Sequence, residues 1–143
     1  MFIQPLTLDD VAEVCRIGLA ESAFEVSESD TFWTPDQLSK WVETGEDVLL
    51  VAKDNDHKII GFALSTLHRP TGKATWENLY VNPTARNQGV GMALTEEMTR
   101  QLHAKGASYI CFFVRAEKDD EITYFTNRGF TQGYNFVWFG KYL

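Results

Sequence analysis

The sequence predicts an α/β fold, in which a mixed β-sheet carries helices on its faces. Two observations predict this class. Apolar residues alternate or run continuously in some segments, as in strands, and recur every three or four positions in others, as in helices. In chain order these segments read β-α-α-β-β-β-α-β-α-β-β, which combines helices and strands throughout. A chain of 143 residues is enough for one domain, so we expect residues 1–143 to form a single domain.

The first half of the chain predicts one strand, two helices and a hairpin. Residues 2–6 have a short strand pattern, and residues 7–19 follow with a helical apolar stripe that begins at a capping threonine. Residues 34–45, TPDQLSKWVETG, have threonine at the cap, proline at the first helical position and glycine after the end, which marks a second helix. Residues 47–53 and 58–68 are strand patterns separated by the turn DNDH, and they predict a hairpin.

The second half predicts further strands around two more helices. Residues 74–81 have a strand pattern, and residues 89–105 place an apolar side chain at every fourth position, which indicates a helix. Residues 108–114 are almost wholly apolar, as in a strand that is covered on both faces. Residues 119–129 begin with acidic residues and end in glycine, which predicts a short helix. Residues 130–143 predict one or two final strands.

Composition argues against several classes of function. The net charge of −7 argues against nucleic-acid binding, because phosphate contacts need a basic surface. No apolar run is long enough to cross a membrane and the first residues lack the pattern of a signal peptide, so we expect no membrane partner. Cys15 and Cys111 have no metal-ligand spacing, so we expect no metal. Both are interpreted as small buried apolar residues of a cytoplasmic protein.

The segment RNQGVGMA at 86–93 is the strongest functional signal. Gly89 and Gly91 lie between a predicted strand and a predicted helix, where backbone N–H groups of the first helical turn have no partners and carry partial positive charge. Anions bind at such positions, and glycine lets a ligand approach the backbone. Arg86 adds a cation suited to phosphate. These residues predict a phosphate-bearing ligand; the alternative is a tight turn into a helix with an incidental arginine.

Two common phosphate-binding motifs do not fit this segment. A dinucleotide fingerprint requires a third glycine at the position of Leu94, and a P-loop requires Gly-Lys-Ser/Thr. The longer segment ENLYVNPTARNQGVGMAL instead resembles the central motif of the GNAT superfamily of N-acetyltransferases. The matching residues are Leu79, Tyr80, Val81, Pro83, Arg86, Gly89, Gly91 and Ala93. The segments IQPLTLDD, NRGF and FVWFGKYL resemble the family's first strand, its Gly-Phe and its closing strand, so the resemblance covers essentially the whole chain.

This resemblance implies a GNAT-type fold, a mixed and mostly antiparallel twisted sheet of about six or seven strands with about four helices. It also implies that acetyl-coenzyme A lies in a cleft where the parallel strands at 74–81 and 108–114 splay apart. Backbone N–H groups of residues 87–91 would hold the pyrophosphate, and the main chain at 79–81 would pair with the pantetheine arm. The cofactor-binding residues implied are Leu79, Tyr80, Val81, Arg86, Asn87, Gln88, Gly89, Val90, Gly91 and Met92.

The reaction that the resemblance implies is N-acetyl transfer by direct attack of a primary amine on the thioester of acetyl-coenzyme A. Glu77 is the candidate base, since relatives often carry a carboxylate early on this strand. A period of two places Glu77 on one face with Leu79 and Val81, where partial burial would raise its pKa. The alternative is a glutamate in water at the edge of the strand. A backbone N–H near Val81 would stabilise the oxyanion.

The proton donor departs from the family pattern. Relatives commonly have a tyrosine five residues before the phenylalanine of Gly-Phe, where this chain has Phe125. Tyr124 is adjacent, but one residue corresponds to about 100° on a helix, so it need not face the leaving thiolate. Tyr124 is either a catalytic donor or a packing residue. The departure supports an alternative function, an acyl-coenzyme A-binding regulatory or sensor domain with little turnover.

The segment between the first two helices, which walls the acceptor cleft in relatives, carries Phe24, Phe32 and Trp33 among several carboxylates. Aromatic surface with carboxylates would suit a cationic amine that has an apolar portion, on a small molecule or on a protein or peptide. The alternative is an acidic loop whose aromatic side chains fill the core. The apolar residues 136–139 belong to the core or to a dimer interface, so we expect a monomer or a homodimer.

Overall fold

The computed structural model describes residues 1–143, which fall into two compact units. The first unit comprises Met1–Cys111, and the second comprises Phe112–Leu143. The first unit contains the β-sheet and three of the four α-helices, and the second contains the fourth helix. A single domain over the whole chain stays a prediction.

One five-stranded sheet organises the first unit and confirms the predicted α/β class. Its strands are β1 (Phe2–Pro5), β2 (Val48–Lys53), β3 (Ile59–His68), β4 (Lys73–Val81) and β5 (Tyr109–Cys111). They lie in the order β1-β2-β3-β4-β5, and every neighbouring pair is antiparallel except β4 with β5, which is parallel. The parallel pair is the one that the family resemblance implied, and its pairing runs from Lys73 opposite Tyr109 to Thr75 opposite Cys111.

The sheet has five strands rather than six or seven, because residues 131–143 contain no helix or strand. The prediction of final strands in this segment rested on its apolar and aromatic residues. Such a pattern is local, whereas a strand also needs a neighbouring ladder for its backbone groups. The mixed, mostly antiparallel class is unaffected by the difference.

The helices are α1 (Val11–Ala20), α2 (Pro35–Thr44), α3 (Val90–Ala104) and α4 (Asp119–Thr126). Helix α2 has the predicted boundaries: the Thr34 hydroxyl accepts a hydrogen bond from the Gln37 N–H at 3.3 Å, and Gly45 follows the helix with a φ of 64°. A short 3-10 turn, Leu8–Asp10, precedes α1. None of the helices combines the length and the hydropathy that crossing a membrane requires.

Helices cover both faces of the sheet. Gly61 and Phe62 are consecutive in β3, so they face opposite sides. A side chain at Gly61 would meet Val90 and Leu94, and this side is therefore the α3 face. Phe62 belongs to the buried cluster that includes Leu38 of α2 and several side chains of α1, and this side is the α1–α2 face. Helix α3 therefore lies on one side of β4, and helices α1 and α2 lie on the other.

A buried ion pair fastens the start of α1 to the sheet. Asp10 is 4% exposed, and its Oδ1 lies 2.6 Å from the Nζ of Lys53 at the end of β2. Its Oδ2 accepts hydrogen bonds from the N–H and the hydroxyl of Thr7, both at 3.0 Å. Burial by itself would raise the pKa of Asp10, but the bonds from Lys53 and Thr7 outweigh burial and hold the pKa below its ordinary range.

The second unit has an aromatic cluster of its own. Phe112 lies 4.4 Å from Phe125 and 5.1 Å from Phe130, measured between ring centroids. Phe125 belongs to α4, so the cluster joins this helix to the chain on both sides of it. The position where the family commonly has a tyrosine is thus occupied by a packing side chain.

Asp10→Asn should lower the free energy of unfolding by about 3 kcal/mol at pH 7, since it leaves Lys53 without its carboxylate. Because the folded-state pKa of Asp10 is lowered, its stabilising contribution is present above the unfolded-state pKa and is lost as pH falls through the folded-state pKa. Urea unfolding at pH 7 and at pH 3 should therefore give a smaller difference between variant and wild type in acid. Asp9→Asn, an exposed neighbour, is the control. Equal losses of unfolding free energy in Asp10→Asn and Asp9→Asn would contradict the stabilising role assigned to Asp10.

Candidate functional site

The glycine-rich loop lies between β4 and α3, as predicted. After β4, a 3-10 turn at Pro83–Ala85 leads through residues 86–89 to the first residue of α3. Side chains within the loop hold it in place. The Asn82 Oδ1 accepts a hydrogen bond from the Thr84 N–H at 3.0 Å, and the Gln88 Nε2 donates to the Thr84 carbonyl at 3.0 Å. These two bonds within the loop help to define its shape.

The loop presents a row of backbone amides. Asn87 and Gly89 both have positive φ, 60° and 82°, which turns successive N–H groups outward before the helix begins. The first amide of this region with a helical partner is that of Ala93, which donates to the Gly89 carbonyl at 3.0 Å. The amides of residues 87–92 donate to no protein acceptor. A Cβ at Gly89 would have no protein atom within 4 Å, so the backbone is open to a ligand at that point.

Arg86 connects this loop to the end of β4. Its Nε donates a hydrogen bond to the Val81 carbonyl at 3.2 Å, and its side chain is exposed. The bond uses one of the five N–H donors of a guanidinium and orients the remaining ones. Arg86 is therefore positioned beside the open amides, where a cation assists the binding of phosphate.

The backbone N–H groups of β4 point alternately toward and away from β3. The Asn82 N–H donates to the Ile60 carbonyl at 2.9 Å, so it points toward β3. Because N–H groups alternate along a strand, those of Leu79 and Val81 point away from β3. The ring of Tyr80 stacks on Phe62 with centroids 5.3 Å apart, so its side chain packs on the α1–α2 face. At residues 79–81, the edge of β4 that faces away from β3 therefore presents backbone groups rather than side chains.

Glu77 lies at a β-bulge in β4. Asn78 pairs with Leu64 and Trp76 pairs with Ser65, so Glu77 is the extra residue that has no partner in β3. The prediction that Glu77 shares a face with Leu79 and Val81 is wrong, because the bulge interrupts the alternation of side chains. The Glu77 Oε1 accepts a hydrogen bond from the Thr66 hydroxyl at 2.9 Å, on the α1–α2 face.

The Glu77 side chain is exposed, yet its surroundings raise the pKa of its carboxyl. Desolvation raises the pKa of its carboxyl above the ordinary value, and the negative charge of Asp47 raises it further. The hydrogen bond from Thr66 acts in the opposite direction and lowers the pKa, but less strongly than desolvation raises it. A carboxylate with a raised pKa takes a proton more readily than one with the ordinary pKa, as a general base requires.

A cavity of about 270 Å³, here called the indole cavity, lies beside Glu77 on the α1–α2 face. Its lining residues are Trp33, Gln37, Trp41 and Thr66. The two indole rings meet with centroids 5.1 Å apart and planes at 65°. Trp33 was predicted from the sequence as an acceptor residue, whereas Trp41 and Thr66 were not. The spacing of Trp41 from the buried Leu38, three residues on one helix, is the signal that could have identified it.

Both indole nitrogens have protein partners. The Trp33 Nε1 donates to the Asn78 Oδ1 at 2.8 Å, next to the bulge. The Trp41 Nε1 donates to the Asp47 Oδ2 at 2.8 Å, and the other oxygen of Asp47 accepts from the Leu67 N–H at 2.8 Å. The rings are therefore held at fixed angles, and their carbon surfaces form the walls of the indole cavity.

The other two predicted acceptor residues pack into the core. Phe24 and Phe32 stack on each other with centroids 5.4 Å apart, and they lie 6.0 Å and 5.8 Å from Phe62. Phe32 also occupies the space that a side chain at position 18 would fill and that Gly18 leaves open. Packing accounts for both rings, and their role in acceptor binding stays a prediction.

Tyr124 lies on α4 in the second unit, where its ring has two neighbours. The guanidinium carbon of Arg128 lies 3.5 Å from the ring centroid, and the Phe125 ring meets it edge-on at 5.1 Å. A cation over an aromatic face is a stabilising contact. Tyr124 as proton donor stays a prediction.

A larger cavity of about 520 Å³, here called the polar cavity, involves none of the predicted site residues. Its lining residues are Asp9, Asp10, Glu13, Asp54, His57, Lys58, Ile59, Ile60, Asn82 and Thr84. No group of three or more histidine, cysteine or acidic side chains in the structure is arranged to hold a metal ion.

Comparison with known proteins places the chain in a family. The model of the acetyltransferase (GNAT) family matches residues 15–130, which include parts of both units. The mycothiol acetyltransferase of Amycolatopsis mediterranei (strain U-32) is 28% identical over 113 residues. That match covers 74% of this chain and 36% of the relative, so the chain spans about a third of that protein's length.

Solved structures share the fold at low sequence identity. A GNAT superfamily phosphinothricin acetyltransferase from Sinorhizobium meliloti, in complex with AcCoA, has a TM-score of 0.76 and 20% identity, covering 92% of this chain and 76% of that one. An aminoglycoside acetyltransferase from an uncultured soil metagenomic sample, in complex with sisomicin, has a TM-score of 0.75 and 20% identity, covering 99% and 95%. Both likenesses support the same fold.

The two neighbours of Glu77 should shift its pKa in opposite directions. Thr66→Val removes a hydrogen bond that favours the charged form, so it should raise the pKa of Glu77. Asp47→Asn removes a nearby negative charge and should lower it. Carbon-13 NMR titration of the Glu77 side chain measures both changes. A shift in the same direction in both variants would contradict the environment described for this carboxyl.

Proposed function

The chain belongs to the acetyltransferase (GNAT) family and is an acyltransferase, and from this premise we propose that it transfers an acetyl group from acetyl-coenzyme A to a primary amine. The observation that carries the proposal is the row of amides at residues 87–92, which no protein acceptor uses. They lie at the start of α3, where the helix dipole adds partial positive charge. A diphosphate is the part of coenzyme A that such a row fits.

The other binding contacts follow from the same segment. Arg86 keeps guanidinium N–H donors beyond the one that contacts Val81, and these would face the phosphates. The outward main chain of Leu79 and Val81 would pair with the amides of the pantetheine arm, as an added strand does. In this proposal, the backbone of the protein recognises acetyl-coenzyme A. The loop therefore needs glycine, which lets the ligand approach the backbone, rather than particular side chains.

We assign the chemistry to Glu77 and the main chain. The amine arrives as an ammonium, and Glu77 takes its proton directly or through water. The freed amine attacks the thioester carbonyl, and the N–H of Val81 stabilises the oxyanion. The carbon–sulfur bond then breaks, and the thiolate of coenzyme A takes a proton from Tyr124 or from water. The proposed products are an N-acetylated amine and free coenzyme A.

Support for an amine acceptor comes from relatives with the same fold. The aminoglycoside acetyltransferase binds sisomicin, and the phosphinothricin acetyltransferase is named for its acceptor. We propose a small-molecule, peptide or protein amine for this chain. A cytoplasmic setting, a monomeric or homodimeric state and the absence of a nucleic-acid partner belong to the same proposal. Both cysteines are free thiols, which suits a reducing compartment.

One observation favours a second candidate, an acyl-coenzyme A-binding sensor or regulatory domain with little turnover. Phe125 packs against Phe112 and Phe130 and has no group that donates a proton. The ring of Tyr124, the adjacent candidate, has the guanidinium of Arg128 on one face. A domain that binds the cofactor without a proton donor for the thiolate would release little product.

Gly89→Val should raise the Kd of coenzyme A by about two orders of magnitude, because a branched side chain would displace the diphosphate from several charge-assisted hydrogen bonds. Isothermal titration measures this change. Gly106→Val is a matched control: Gly106 follows the other end of α3, has a φ of 102° and also has no protein atom within 4 Å of a Cβ. The two variants carry comparable backbone strain, so an unchanged Kd for Gly89→Val, or equal losses in both, would contradict the placement.

Glu77→Gln should lower kcat by about 100-fold with little change in the Kd of coenzyme A, since it removes the base and not a cofactor contact. In the wild type, kcat/KM should rise with pH through the raised pKa of Glu77, and this limb should be absent in the variant. Release of free coenzyme A thiol across a panel of amines is the readout. Coenzyme A binding without thiol release from any amine would favour the sensor function.

A further inference from the structure

We propose that the indole cavity is the acceptor site and that it selects small primary amines whose ammonium group is attached to an apolar body. The inference rests on the proposed function. It adds the class of acceptor, which neither the family nor the loop determines. Three features of the cavity support it: the chemistry of its walls, the charges beside it and its size.

The walls of the indole cavity are largely carbon. Trp33 and Trp41 form two of them, and both indole N–H groups already have protein acceptors. A hydroxylated acceptor would lose hydrogen bonds to water against these rings and regain none from them. An apolar acceptor body has no hydrogen bonds to water to lose against these rings, and it gains contact area with them. The walls therefore favour a hydrocarbon body over a sugar-like one.

Two carboxylates lie one hydrogen bond away from the lining residues. Glu77 accepts from Thr66, and Asp47 accepts from Trp41. The two negative charges are close enough for Asp47 to raise the pKa of Glu77. An ammonium group placed beside them relieves their mutual repulsion and lies where Glu77 can take its proton. The charges thus locate the reacting end of the acceptor, and the indoles locate its body.

The indole cavity is open to solvent, and its size suits a small acceptor body. Its volume of about 270 Å³ lies just below the range of roughly 300–1,000 Å³ that is typical of pockets for drug-sized ligands. A phenyl or branched alkyl group on a short ethylamine chain is of suitable size. The fixed indole angles mean that the walls do not need to reorganise on binding, which favours affinity for a matching shape.

Turnover of 2-phenylethylamine and of ethanolamine tests the selection. The wild type should use 2-phenylethylamine with a kcat/KM higher by about two orders of magnitude, since burial of a phenyl group stabilises its complex. Trp41→Leu should reduce this preference about tenfold, mostly through KM. Trp41→Phe, which keeps a ring and loses the bond to Asp47, should give an intermediate value. Lys40→Ala, at an exposed neighbouring position of α2, should leave the preference unchanged.

A binding measurement separates this inference from the proposed reaction. Trimethyl(2-phenylethyl)ammonium cannot be acetylated. The compound 2-phenylethanol has the same phenylethyl group but carries no charge. With coenzyme A present, isothermal titration should give the ammonium compound a Kd at least about tenfold lower than that of the alcohol, because only it meets the two carboxylates. Trp41→Leu should raise the Kd of the ammonium compound about tenfold.

The outcomes distinguish the two claims. Binding of the ammonium compound in the wild type, lost in Trp41→Leu, would support the acceptor class even if no amine were acetylated, and the proposed reaction alone would then fail. Acetylation of amines with equal efficiency for 2-phenylethylamine and ethanolamine would support the reaction and overturn the selection. Equal Kd values for the ammonium compound and 2-phenylethanol would overturn the role of the carboxylates.

Discussion

The start of α3 is the constraint on which the candidate site depends. An α-helix leaves its first backbone N–H groups without partners inside the helix, and most proteins satisfy them with a capping side chain. Here the capping position is Gly89, which has no side chain to offer, and the amides of residues 87–92 donate to no protein acceptor. The buried positions of α3 hold these amides in place against the sheet. In the proposed function, the diphosphate of coenzyme A is the partner that these amides bind.

The bulge at Glu77 links the cofactor strand to the acceptor side. Without the extra residue, period-two alternation would direct the Glu77 side chain to the α3 face together with Leu79 and Val81. The bulge instead directs it to Thr66, on the face that carries the indole cavity. In the proposed function, the same strand therefore offers main chain at 79–81 to the cofactor and a carboxylate to the amine. The proposed reaction thus depends on one irregularity in one strand.

Local signals predicted the fold and the loop well. The cap of α2, the turn into α3 and the alternation in β3 each depend on residues close in sequence, and the structure has them where the patterns placed them. The environment of Glu77 was not predictable in the same way. Its partner Thr66 is eleven positions away, and only the pairing register of β3 with β4 shows the bulge. Nothing in the local pattern around WENLY marks an extra residue.

The acceptor residues illustrate the same limit. Phe24, Phe32 and Trp33 lie in one segment and share aromatic character, so no local signal distinguishes their roles. Tertiary contacts separate them: the two phenylalanines pack on Phe62, while Trp33 turns to Asn78 and meets Trp41. Bonds across 45 residues, as between Trp33 and Asn78, cannot be read from composition or spacing.

The most direct test of the account is a proton–nitrogen NMR titration of the protein with coenzyme A. The account predicts that the amide signals of residues 87–92 move farthest, because these N–H groups gain a charged acceptor, while those of His57 and Lys58 at the polar cavity stay in place. Movement centred on the polar cavity, with the amides of residues 87–92 unchanged, would contradict it.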